Sequence, residues 1–223
     1  MAILNPAGGL VYHLRALKSA DQWRSYRAHV HRFLLSWNPP NSQILLVGPS
    51  AGYSLSRGWL QSFTQVIGLE VDPSARLMFD RRHKLRTKWI KTARFEPDLD
   101  SFRTVLEEYP DAAVLFCNFL GQLPALYPAT DLDALHRELR QLLSNRNWAS
   151  YHDRVSGQFQ VGEREQFYFA SPTCETLADD WKLSGELMDH ETSVLSEGLP
   201  CRVFPWRLTE SSTHLIEAIQ QAA

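Results

Sequence analysis

The spacing of the hydrophobic positions changes near residue 40 of this 223-residue chain. Before that point Trp23, Tyr26, Val30, Phe33, Leu34 and Trp37 recur at three- and four-residue steps, one apolar stripe of a helix. Pro39-Pro40 stops it, and Asp21 is placed to cap its start. Residues 1–40 therefore read as a helical extension or lid, and residues 41–223 as a single domain. From residue 43 onward, short unbroken apolar runs alternate with helical patterns. Residues 43–47 (QILLV), 66–71 (VIGLEV), 89–93, 112–118 (AAVLFCN) and the start of a run at 148–151 read as strands. Residues 53–63, 74–83, 101–109 and 132–143 read as helices, the second behind an Asp72-Pro73 start signal. Strands that are apolar throughout, and not at alternate positions, are covered on both faces. The expected fold is α/β: a doubly wound, mostly parallel sheet with flanking helices and an N-terminal helical extension. Towards the end of the chain the pattern loosens. Residues 158–170 read as a hairpin, 176–188 as mixed, 201–208 as a late strand and 213–220 as a terminal helix.

Charge and cysteine content narrow the function. A formal net charge of -2 gives no global positive field, which disfavours a dedicated nucleic-acid binder and favours a small-molecule substrate. The basic run Arg76, Arg81, Arg82, Lys84, Arg86, Lys88 and Lys91 reads as the solvated face of a helix and its following turn. Cys117, Cys174 and Cys201 are far apart in sequence, the usage of a reduced, cytoplasmic protein. No apolar run suits a signal peptide or a membrane span, so no membrane partner is expected.

The unusual residues stand at the ends of the first two strands. Gly48, Pro49, Ser50, Ala51 and Gly52 form a turn that lets the backbone bend sharply and approach a ligand, with a helix to follow. Glycine-rich turns of this kind also occur without a ligand. The second strand adds Glu70, an acid about twenty residues after the turn, where a carboxylate can accept protons from both ribose hydroxyls. Val71 beside it can cover one face of an adenine.

These two segments, LLVGPSAG and GLEVDPSA, resemble motifs I and II of the class I, Rossmann-like methyltransferases that use S-adenosylmethionine. AAVLFCNFLGQL resembles the family's fourth strand and motif IV, and the likeness covers residues 43–143. It implies that the glycine loop holds the methionine part of the cofactor and Glu70 the ribose. It implies a polar contact to the adenine amine after the third strand, for which Glu96 and Asp98 are the candidates; either also suits a helix cap. The sequence departs from the family in two places. Leu46 stands where an acid is common, and Pro49-Ser50 replaces the usual x-Gly.

Methyl transfer asks the protein to align a nucleophile and sometimes to remove a proton. Asn118, at the end of the fourth strand, can orient a nucleophile or serve as a turn residue. His152, beside Asp153, is a candidate general base or a surface-loop histidine. Asp189-His190-Glu191 offers a second base, and no metal is expected because adjacent residues cannot converge on one ion from a helix or strand. Tyr12 and His13 reach the site only if the first helix lies over it. A rival reading takes GPSAG as the G-x-S-x-G elbow of a serine hydrolase, with Ser50, Asp189 and His214 in triad order. The strands such a fold needs before the serine are missing, and Glu70 then has no task. A third reading is a non-catalytic nucleotide-binding protein of the methyltransferase fold.

Overall fold

The computed structural model describes residues 9–222, with the backbone alone for residues 9–11 and 17. The first eight residues of the expected extension lie outside the described part. The rest of the extension forms two helices, α1 (Gly9–Lys18) and α2 (Arg24–Trp37). Asp21 does not cap α2: that position belongs to Trp23, and the Asp21 carboxylate instead meets Arg24 in an exposed pair at 2.6 Å. Asn38, in the left-handed region, ends α2 ahead of the prolines.

An alternating series comes next: β1 (Gln43–Val47), α3 (Arg57–Leu60), β2 (Gln65–Leu69), α4 (Pro73–His83), β3 (Lys88–Ile90), α5 (Asp100–Glu108), β4 (Ala112–Cys117), α6 (Leu123–Leu126), α7 (Leu132–Leu142) and β5 (Trp148–Gly157). The chain then runs through β6 (Gln166–Tyr168), α8 (Cys174–Trp181), β7 (Leu187–Asp189), α9 (Ser193–Ser196), β8 (Cys201–Arg207) and β9 (Thr213–Gln221). The strands form one sheet in the order β3-β2-β1-β4-β5-β9-β8-β6, with β7 also on β5. The first five are parallel, and β9 runs antiparallel to both of its neighbours. Alternate residues of β1, Leu45 and Val47, join Phe102, Val105, Leu135 and Leu139 of α5 and α7 on one face. Ile44 and Leu46 join Val30, Phe33 and Leu34 of α2, Trp59 of α3 and Phe79 of α4 on the other. The sheet is thus doubly wound, as expected.

Four expectations change. The helix over 53–63 contracts to α3, because Ser56 caps a start four residues further on, while Tyr53 and Ser54 turn their hydroxyls to His13 and Tyr151. The third strand sits at 88–90. There is no hairpin over 158–170: β6 pairs with β8 from across the sequence. The terminal helix is the strand β9. Leu215, Ile216, Ala218 and Ile219 suit a helical stripe, yet equally a strand buried on both faces, and a slot between β5 and β8 satisfies the backbone on both edges. No helix among the described residues is long and apolar enough to cross a membrane.

The segment before β6 is held to α2 by Glu165. Its carboxylate meets His29 at 3.0 Å, Arg202 at 3.0 Å and Arg32 at 3.3 Å. The hydrogen bond from His29, then those from Arg202 and Arg32, bring it down to about 2. A depressed carboxyl stabilises above its unfolded value, and the contribution fades as pH falls through the folded one. The advantage of wild type over Glu165→Gln in urea unfolding is therefore expected at neutral pH and should vanish between the ordinary carboxyl range and about 2. A pH-independent gap between the two proteins would contradict this.

Candidate functional site at the carboxyl ends of the strands

Strand order reverses between β1 and β4, which places the ligand crevice of such a sheet at their carboxyl ends. The turn after β1 uses three residues in the left-handed region: Gly48 at φ 63°, Ser50 at 49° and Gly52 at 65°. The Gly48 N–H donates to Leu69 O at 2.9 Å and ties the turn to the end of β2. The room beside the glycines is taken by protein. A Cβ on Gly48 would lie 2.8 Å from Phe119, and one on Gly52 would meet His83 and, at 2.8 Å, the Phe79 ring. Burial pushes the His83 imidazole down to about 4, so it is neutral, and its Nε2–H donates to Gly52 O at 3.1 Å. The expected helix N-terminus aimed at a ligand is absent, since α3 starts five residues after Gly52 and spans four.

The loop amides serve Glu70 instead. Ser50 N donates to one carboxylate oxygen at 2.9 Å across twenty residues, and Asp72 N to the other at 3.0 Å. Burial raises this carboxyl, and the amides of Asp72 and Ser50 offset the effect only in part. Glu70 is thus a partly desolvated carboxylate held by amides of the β1 turn and of its own strand end, and a carboxylate so placed can accept further hydroxyl donors. Val71 beside it is an apolar side chain left 63% exposed at the strand end. Asp72 caps α4 through Ser74 N at 2.8 Å.

The remaining candidates separate. Asp98 is exposed and accepts from Asp100 N at 3.1 Å, so it serves the start of α5. Glu96 is half-buried beside Tyr127. Asn118 follows β4 at φ 51°, donates through Nδ2 to Asp153 at 3.3 Å, and buries an Oδ1 with no partner among the described residues. His152 is neither in a loop nor at the surface. It lies inside β5 with no exposure, its Nδ1 on Ser150 at 2.8 Å and its Nε2 on Glu217 at 3.2 Å. The geometry thus removes it from the strand ends. Asp189 is engaged by Arg154, and His190 by Gly121 O and Ser156.

Ser50 has the positive φ of a strained elbow, but the proposed triad is not assembled. His214 is paired with Asp153 at 2.9 Å, and Asp189 with Arg154.

Tyr12, His13 and His214 were already candidates, but two groupings they enter were not legible in the sequence. One is the aromatic cover: Tyr12 lies 5.8 Å from the rings of Trp23 and Tyr53, and His13 Nδ1 is 3.1 Å from the Tyr53 hydroxyl. Burial raises the Tyr12 phenol, with Tyr53, Asp153 and Glu70 close enough to add to the effect. These contacts bring Tyr12 and His13 of α1 to the turn after β1. The other is the Asp153–His214 pair. A bulge between Asp153 and Val155 shifts the register with β9. Trp148 and Val155 then share one face although their numbers differ in parity, while Asp153 falls on the side of Asn118. The apolar stripe of α2 contained Trp23 and Tyr26, but its destination was not written in it.

The sequence matches no protein-family model and no curated relative. Solved structures do resemble it. The N-methyltransferase NodS from Bradyrhizobium japonicum WM9, in complex with S-adenosyl-L-homocysteine, aligns over 91% of this chain and 88% of its own, at TM-score 0.50 and 12% identity. A methyltransferase from Anabaena variabilis ATCC 29413 aligns over 90% and 84%, at 0.48 and 15%. The magnesium protoporphyrin IX methyltransferase of Synechocystis PCC 6803 aligns over 96% and 86%, at 0.45 and 12%. At this identity NodS speaks for the architecture. Together with the strand order and the placement of the crevice, it shows that this chain has the fold of the class I S-adenosylmethionine-dependent methyltransferases.

Proposed function

We propose that the protein is an S-adenosylmethionine-dependent methyltransferase acting on a small molecule. The observation that carries this reading is Glu70: a partly desolvated carboxylate at the end of β2, clamped to the β1 turn through Ser50 N. The residues present fit the cofactor. Glu70 would take the ribose hydroxyls, Val71 one adenine face, Glu96 the adenine edge, and the turn Gly48–Gly52 the methionine part. The orphaned Asn118 Oδ1 is an acceptor suited to an ammonium group. When bound, the cofactor supplies a methyl group already activated on a sulfonium. The protein's share is to hold the acceptor in line, exclude water under α1 and, where needed, accept a proton. In this reading residues 1–40 are an extension that covers a single domain, 41–223. The three free thiols fit a cytoplasmic setting.

The test is calorimetry with S-adenosylhomocysteine. The expected dissociation constant is micromolar, about -8 kcal/mol at 1 μM. Ser50→Ala should bind equally well, because Ser50 acts through its backbone N–H. No heat and no thermal shift at millimolar S-adenosylhomocysteine would refute the reading. Esterase turnover abolished in Ser50→Ala would point to the hydrolase.

A further inference from the structure

On the α2 face of β5 a chain of polar side chains leads out to the crevice. Asn118 Nδ2 donates to one Asp153 oxygen at 3.3 Å, and the other faces His214 Nδ1 at 2.9 Å. Gly121 makes room for this, since a Cβ there would lie 2.6 Å from Asp153 O. Burial pushes the Asp153 carboxyl up, but His214, His190 and the Asn118 amide outweigh it and hold the group below its ordinary range. Asp153 is therefore a carboxylate, and it requires the proton of His214 on Nδ1. Nε2 is then the position at which the neutral ring can accept a proton. Its neighbour, Ser212 Oγ, stands at 3.5 Å, the outer limit of a hydrogen bond.

His190 is not equivalent. Its Nδ1–H donates to Gly121 O at 2.7 Å, and its Nε2 accepts from Ser156 at 2.9 Å, so both nitrogens are spent. The ionisable groups facing His214 are Asp153 from β5 and His190 beyond β7, whose ring is 5.9 Å away. Behind Trp206 of β8 stands Tyr26 of α2. The walls are aromatic: the Trp206 ring is 5.5 Å from His214, Tyr26 stacks on Trp206 at 4.7 Å, and Trp23 meets it edge-on at 5.1 Å. Trp206 Nε1 is buried with no partner among the described residues.

Building on the methyltransferase reading, we propose that His214 is the general base of an acceptor site for aromatic hydroxyl compounds, with Asp153 and Asn118 as positioning residues. The hydroxyl proton passes to His214 Nε2. The electron pair left on oxygen forms the bond to the methyl carbon, and the pair of the broken C–S bond stays on sulfur. A phenol-type hydroxyl ionises near pH 10, within reach of an imidazole. A flat ring also matches walls built from Trp206 and Tyr26.

The test titrates para-nitrophenol into the protein at a pH below the phenol's own pKa and reads the visible phenolate band. It is run with and without S-adenosylhomocysteine. Wild type should bind para-nitrophenol as phenolate. His214→Asn and His214→Gln should keep their affinity for S-adenosylhomocysteine and give at least about tenfold less phenolate. Asp153→Asn should fall between, and imidazole ¹⁵N spectra should show His214 protonated on Nδ1 in wild type and mixed in that variant. Failure of S-adenosylhomocysteine to bind strikes the methyltransferase reading alone. Absence of binding by para-nitrophenol, binding without ionisation in wild type, or ionisation retained in His214→Gln overturns the role of His214.

Discussion

Glu217→Ala is expected to destabilise the protein by about 3–5 kcal/mol, because it removes the acceptor of three donors and each buried group left unsatisfied costs about 1–3 kcal/mol. Glu217 lies on β9 with no exposure. One oxygen receives His152 Nε2 at 3.2 Å and Ser196 Oγ at 2.7 Å, and the other receives Ser171 Oγ at 2.7 Å. Alanine leaves the buried His152 imidazole, the buried Ser196 hydroxyl and the half-buried Ser171 hydroxyl without this acceptor, and their desolvation is then less well compensated. Against a total stability of about 5–15 kcal/mol, that is a large fraction. Glu217→Gln keeps the volume and one acceptor oxygen and should lose less. Burial raises the Glu217 carboxyl, but His152, Ser196 and Ser171 together pull it below its ordinary value. A lowered carboxyl stabilises at neutral pH and ceases to do so as pH falls through the folded value, so the alanine penalty should shrink in acid. Urea unfolding of the three proteins at two pH values reads all of this. Coincident midpoints at neutral pH would show that the network carries no stability.

Glu70→Ala should weaken S-adenosylhomocysteine binding by at least about tenfold, since each charge-assisted bond to a ribose hydroxyl is worth about 1.5–3 kcal/mol. The structure adds a second consequence. Glu70 also accepts Ser50 N and Asp72 N, so the alanine variant loosens the turn as well as losing the ribose contacts. Glu70→Gln separates the two effects. It retains one acceptor oxygen but presents an amide where a carboxylate stood, so it should recover part of the turn's order and little of the affinity. Calorimetry gives the affinity, and amide hydrogen exchange at residues 48–52 gives the order. Equal affinities in all three proteins would take Glu70 out of the site and remove the observation on which the proposed function rests.

The parallel half of the sheet was readable because its signals are local. QILLV and AAVLFCN are too short and too uniformly apolar to be anything but covered strands, and Asp72-Pro73 announces α4 within its own first turn. Glu70 was readable for a related reason: a charge at the end of an apolar run stands out. The antiparallel half was not. Its strands depend on partners far along the chain, and THLIEAIQQ carries a pattern that a helix and a doubly buried strand share. That ambiguity hid the place of His214 beside Asp153, and the bulge after Asp153 hid which later residues of β5 share its face, because an inserted residue reverses the parity by which neighbours are assigned to faces. His152 and Asp153 look interchangeable in sequence. One is sealed in the core with Glu217, and the other faces the crevice with His214.

The position of β9 also sets an order of events during synthesis. It lies between β5 and β8, yet both of these leave the ribosome before it. Until residues 213–221 emerge, the parallel half ends on β5, with that strand's β9 edge unpaired, a surface open to wrong partners. The turn, Glu70 and Asn118 belong to the half that can assemble early, whereas His214 arrives on the strand that closes the sheet. A nascent chain can therefore shape its crevice before it owns the His214 imidazole, and the proposed base joins the crevice only with the completion of the sheet itself.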